Sequence, residues 1–174
     1  HWNWKIPHEY YSTFPCVGFH MTDLPFGRGG SPLQNLIIRG FTKTKLTAFR
    51  ISEEMDAGPI IIKKDLELSG RAEEIYTRSA LLACEMIKEI LEKGFSDKNQ
   101  IGDPVYFERR KPSDSEITNF DTITELYNHL RMLDAPTYPN AFFRLGRFKF
   151  EFSQVIQNNE SIQALVHISE EMLD

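Results

Sequence analysis

The chain has 174 residues, 41% hydrophobic and 26% charged, with a net charge of −5. That length buries roughly 70% of its unfolded surface, enough for one large domain or one domain with a small appendage. No block of five or six basic residues is present, which excludes a basic nucleic-acid arm, and no apolar run approaches the about 20 residues needed to span a bilayer.

Cys16 and Cys84, the two cysteines, sit in the apolar runs FPCVGF and LLACEM and are expected to be buried, reduced thiols of a cytoplasmic protein. The sequence opens at His1 without methionine, and HWNWKIP reads as the middle of a longer chain, so a further N-terminal segment is expected.

Residues 1–15, aromatic and polar with Pro7 and Pro15, predict a loop and a short helix. CVGFH (16–20) is a continuous apolar run of the kind buried on both faces of a parallel sheet. MTDLPFGRGG (21–30) is expected as a loop. Ser31-Pro32 then supplies an N-cap and a proline at the first helical position, and the helix stops at Gly40. KLTAFRIS (45–52) and IIIKKDLEL (60–68) predict strands around the tight turn EEMDAGP. From Ala72 to Lys93 the positions Ile75, Ser79, Leu82, Ala83, Met86, Ile87, Ile90 and Leu91 follow helical spacing as the apolar face, with Gly94 as the stop.

YFERRKPSDSE (106–116) reads as a linker, ITELYNHLRML (123–133) as a short helix and DAPTYPNA (134–141) as a proline-bracketed turn. Residues 142–169 predict three strands joined at Gly146 and at Asn158-Asn159, with Phe148, Phe150 and Phe152 alternating with charge. The organisation expected is therefore an α/β part, 1–110, and a small β-rich part, 111–174.

His20 ends its apolar run, and residues just past the carboxyl end of a strand in an α/β sheet face the ligand crevice. The glycine-rich turn GRGG (27–30), ahead of a helix start, offers backbone amides suited to an anion or oxyanion. It is neither a Walker loop nor the GxGxxG fingerprint. Asp56 stands in the turn MDAGP, freed by Gly58 and stiffened by Pro59. A histidine and a carboxylate meeting across a crevice suit acyl transfer: the imidazole holds a developing oxyanion and the carboxylate helps remove the amine proton. Blander readings stand beside these: His20 as a structural strand-end histidine, Arg28 as a solvated loop residue, Asp56 as a turn former. Cys16 and His20 would lie about 13 Å apart along one strand. Ser31 lacks a GxSxG setting, and neither HExxH nor CxxC occurs, so no metal is expected.

These residues resemble a known family. His20, Asp23-Leu24-Pro25, Arg28-Gly29, Pro32 and Met55-Asp56-Ala57-Gly58-Pro59 are similar to the 10-formyltetrahydrofolate-dependent formyltransferases, which include methionyl-tRNA formyltransferases and sugar N-formyltransferases. RRKPSDSEI (109–117), the helix bearing Arg131 and YPNAF (138–142) resemble the start of that family's C-terminal domain.

The resemblance implies that 1–110 is the C-terminal part of a Rossmann-like formyltransferase domain lacking its N-terminal half, followed by a β-rich subdomain, 111–174. It implies catalytic roles for His20 and Asp56. Met55, Ala57, Gly58, Asp23, Leu24 and Pro25 would line the folate pocket, and Arg28 and Gly29 would contact substrate, with 10-formyltetrahydrofolate as cosubstrate. The family's Asn two residues before the histidine is Gly18 here, with Asn3 as a candidate stand-in, and its Ser is replaced in the vicinity of Thr22 and Asp23.

For the acceptor amine, residues 112–174 carry ten acidic and four basic side chains, the wrong sign for a phosphate backbone. The expectation is a nucleotide-linked amino sugar, with initiator methionyl-tRNA as the alternative and a non-catalytic folate-binding homologue as a second one. A homodimer through the aromatic hairpin 142–152 is also expected.

Overall fold

The computed structural model describes residues 5–136 and 138–171. Two compact units emerge: His1–Pro32, Lys43–Leu66 and Arg78–Glu108 make the first, and Leu33–Thr42, Glu67–Thr77 and Arg109–Asp174 the second.

In the first unit, helix α1 (His8–Thr13) precedes strand β1 (Val17–His20) and strand β2 (Phe26–Gly29). Strands β3 (Lys43–Arg50) and β4 (Ile60–Glu67) complete a three-stranded sheet in the order β1-β3-β4. β1 pairs antiparallel with β3, setting Gly18 opposite Phe49 and His20 opposite Thr47. This corrects the parallel, doubly buried strand expected at 16–20. The continuous burial belongs to β3, the middle strand, where Leu46, Thr47, Ala48 and Phe49 are all buried, while Val17, Gly18 and Phe19 are half-buried. A middle strand is covered by neighbours on both edges, and apolar runs mark it best. β2 runs parallel to β5 (Val105–Phe107), so the expected loop at 21–30 and the expected linker at 106–116 each contain a short strand.

Helix α3 (Ala72–Lys93) has the expected bounds. Ile75, Met86 and Ile90 are buried, whereas Ile87 and Leu91 of the expected stripe are exposed. Cys84 is exposed on this helix and Cys16 is half-buried, both as free thiols, which corrects the expected pair of buried cysteines. The apolar residues flanking Cys84 in sequence include Leu81, itself exposed, so they carry no information about its burial.

The second unit holds helix α2 (Pro32–Ile38), a 3-10 turn at Pro112–Ser115, helix α4 (Ile123–Arg131) and the meander β6 (Ala141–Leu145), β7 (Phe148–Asn158) and β8 (Ser161–Glu170). The hairpin turns fall at Gly146 and Asn159, both at positive φ. α4 starts on a reciprocal cap: the Glu125 amide donates to the Thr122 hydroxyl, and the Thr122 amide to the Glu125 carboxylate. Two buried polar side chains are matched: Gln34 donates to the Tyr76 hydroxyl and the Met132 carbonyl, and Arg131 to the carbonyls of Leu68 and Gly70. Among the described residues no helix is long and apolar enough to cross a membrane.

Candidate functional site

His20, Thr22, Arg28, Asp56 and Gln100 converge within the first unit. His20, at the end of β1, is only 8% exposed. Its Nε2 lies 2.7 Å from the Gly27 carbonyl oxygen. A carbonyl only accepts, so Nε2 carries the proton and Nδ1 is the nitrogen left for chemistry. Nδ1 faces Asp56 Oδ2 at 3.7 Å, an ion-pair distance rather than a hydrogen bond. The Thr22 hydroxyl donates to the same Gly27 carbonyl at 3.4 Å, and the Thr47 hydroxyl fixes the Thr22 carbonyl at 2.6 Å.

Asp56 reaches His20 from the turn between β3 and β4, in left-handed backbone (φ 53°) that aspartate tolerates better than most residues. Gly58 is required there by a close approach, since a Cβ would come within 1.8 Å of the Arg50 carbonyl oxygen. The Gly29 amide donates to Asp56 Oδ2 at 2.9 Å, and the Gly30 amide to the Phe107 carbonyl at 3.0 Å. The Gly29 and Gly30 amides therefore serve the Asp56 carboxylate and the β2–β5 edge, not the open anion site expected from the sequence.

Arg28 is likewise 8% exposed. Its Nε and one terminal nitrogen donate to Gln100 Oε1 at 3.1 and 2.8 Å, and the other terminal nitrogen to Glu54 at 3.0 Å and to the Tyr106 hydroxyl at 3.3 Å. Asp23 pairs with Lys63, which also donates to the Leu24 carbonyl at 2.6 Å beside the cis Leu24–Pro25 bond. Leu24 is fully buried, and the Met55 side chain is exposed. The structure thus brings His20, Gly29 and Asp56 together and sets Asp23 on a separate contact. Asn3 lies outside the described residues. Beside Gly18 the space is taken by Phe49: a Cβ there would lie 2.8 Å from the ring. Glu54, Gln100 and Tyr106 were not legible from motifs; Gln100 and Tyr106 sit in polar segments far along the chain.

Among the described residues no group of three or more His, Cys, Asp or Glu side chains is placed to hold a metal. A surface cavity lined by residues including Arg71, Tyr127 and Gln154 lies in the second unit and contains neither His20 nor Asp56.

Fold and site together define an α/β protein with a buried imidazole facing a half-buried carboxylate. The family described as "Methionyl-tRNA formyltransferase, C-terminal domain" matches residues 112–169. The solved methionyl-tRNA formyltransferase from Clostridium thermocellum is 49% identical, with a TM-score of 0.93 over 98% of this chain and 75% of that one. A curated methionyl-tRNA formyltransferase from Mesoplasma florum is 29% identical over 167 residues, 91% of this chain and 53% of the relative. A sugar N-formyltransferase structure from Shewanella sp FDAARGOS_354, at 18% identity and TM-score 0.66 over 97% of this chain and 66% of that one, shares the fold. The chain belongs to the formyltransferase family. It spans about half the length of the curated relatives it matches at greatest coverage.

Proposed function

We propose that this chain carries the His20–Asp56 part of the active site of an N-formyltransferase that moves a formyl group from 10-formyltetrahydrofolate to a primary amine. The observation that carries the reading is the imidazole with one nitrogen committed to the Gly27 carbonyl and the other facing Asp56 at 3.7 Å. In the transfer, the acceptor nitrogen bonds to the formyl carbon, the bond from that carbon to the folate nitrogen breaks, and one proton passes from the amine to the departing nitrogen. His20, protonated at Nδ1, donates toward the formyl oxygen as it gains charge, and Asp56 holds that imidazolium and steers the amine proton. The donor set fits such a cosubstrate: a fixed imidazole, a carboxylate, and an exposed Met55 beside Asp56 that offers apolar surface to a flat ring. The family's asparagine donor is absent at Gly18, and one such donor is worth roughly 3 kcal/mol of transition-state stabilisation.

For the acceptor, the curated relatives and the 49%-identical structure support methionyl-tRNA, the alternative in the sequence reading, over an amino sugar. The sugar enzyme resembles this chain at a level that speaks for fold alone. The acidic count that favoured a sugar starts at residue 112, one residue after Arg109-Arg110-Lys111, of which Arg109 and Lys111 are exposed. Phosphate contacts depend on such local clusters rather than on net charge. Residues 1–110 supply the catalytic part of this proposal and 111–174 the C-terminal part, in the cytoplasm where charged tRNA is used.

The test offers the full reading frame 10-formyltetrahydrofolate with methionyl-tRNA and, separately, with nucleotide-linked amino sugars, and follows tetrahydrofolate release. Turnover with methionyl-tRNA alone is expected. Turnover on a sugar alone would restore the sugar reading, and folate binding without turnover would favour a non-catalytic homologue.

A further inference from the structure

Gln100 belongs to none of the motifs that define the site, yet it joins two of them. Its Oε1 accepts two hydrogen bonds from Arg28, at 3.1 and 2.8 Å, and its Nε2 donates to the carbonyls of Asp56 at 2.8 Å and Gly58 at 2.9 Å. The partners fix the orientation of the amide, because a guanidinium only donates and a carbonyl only accepts. Both amide groups are thus fully used. Arg28 is held in turn by Glu54 and Tyr106, and the Tyr106 hydroxyl also donates to Glu54 at 2.9 Å.

A closed circuit results. From the Arg28 side chain it passes through Gln100 to the Asp56 backbone, along the Asp56 side chain to the Gly29 amide at 2.9 Å, and back to Arg28 through one peptide bond. Asp56 is thereby gripped at its carbonyl and at its carboxylate. Either grip alone leaves the turn free to pivot; together they fix the direction in which Oδ2 faces His20. We propose that Gln100 is a positioning residue for formyl transfer, setting the Asp56 carboxylate against His20. The proposal rests on the formyl-transfer reading of that pair.

The backbone of this segment is anchored without the Gln100 side chain, since Ile60 and Lys98 exchange amide-to-carbonyl hydrogen bonds at 2.7 and 2.9 Å. Removing the amide therefore frees the turn and leaves the segment in place. Two substitutions separate the contacts. Gln100→Met removes both; Gln100→Glu keeps a partner for Arg28 but turns an acceptor toward two carbonyls that need a donor.

The experiment measures kcat, KM and thermal unfolding in the full reading frame for Gln100→Met, Gln100→Glu, Asp56→Asn and the double variant Gln100→Met/Asp56→Asn. Each Gln100 variant is expected to lose about 10- to 100-fold in kcat, as a misplaced catalytic group does, with KM for the amine unchanged. In the Asp56→Asn background Gln100→Met is expected to cost nothing further, because it acts through Asp56. If Gln100→Met is unfolded at the assay temperature, Gln100→Glu decides alone. Unchanged kcat in folded Gln100 variants, or a loss that multiplies in full with that of Asp56→Asn, would overturn the proposal while leaving the active-site reading intact. Full activity in Asp56→Asn would instead remove the reading beneath it.

Discussion

Gly18 stands two residues before His20 on one face of β1, and Phe49, its antiparallel partner, lies over it. Introducing a side chain here forces a Cβ to within 2.8 Å of the Phe49 ring, which is itself buried. Gly18→Asn is therefore expected to lower unfolding free energy by about 1–3 kcal/mol, the usual cost of overpacking. Chemical denaturation checks it, and Phe49→Leu in the same chain should recover most of the loss. Gly18→Asn at full stability would mean that Phe49 moves aside without cost. At this scale His20 and Asp56 were legible because each sits in a short motif with a strand end or turn around it. Gln100 was not: its partners lie 42 to 72 residues away, and a glutamine in a polar loop carries no local signature. The opposite error arose at the glycine-rich turn, where amides that look free in sequence are claimed by Asp56 and Phe107.

Among the elements, α4 offers the clearest pH test. His129 is buried, its Nε2 lies 3.3 Å from the Ser115 carbonyl, and Phe120 packs on its ring. Burial pushes its pKa below the usual histidine value, with the Ser115 bond opposing and Arg110 adding to the effect. The unfolded chain takes up this proton near pH 6.5 while the folded chain does so only at lower pH. His129 thus contributes stability that is present above about pH 6.5 and lost as pH falls below it. His129→Gln should flatten the decline in unfolding free energy between about pH 7.5 and about pH 5.5, as read by denaturation at the two pH values. An identical decline in both proteins would assign the pH dependence to other groups. α3 and the hairpins of β6–β8 were legible from periodicity and from Gly146 and Asn158-Asn159. β2 and β5 were not, being four and three residues long, and their pairing is invisible to local pattern.

Across the whole molecule, composition constrained class but not acceptor. The ten acidic and four basic side chains of residues 112–174 are a sum over a segment, whereas an acceptor meets one patch, so that count cannot by itself choose between a sugar and the methionyl-tRNA proposed above. The catalytic proposal turns on one side chain, His20, fixed by Gly27 and facing Asp56. Single-turnover formylation of methionyl-tRNA by the full reading frame, compared between the parent protein and His20→Ala with folding checked by thermal unfolding, tests it most directly. We expect the variant to fold and to lose at least about 100-fold in rate, the loss typical of removing one general acid–base group. A folded His20→Ala protein that transfers the formyl group at the parent rate would contradict the account.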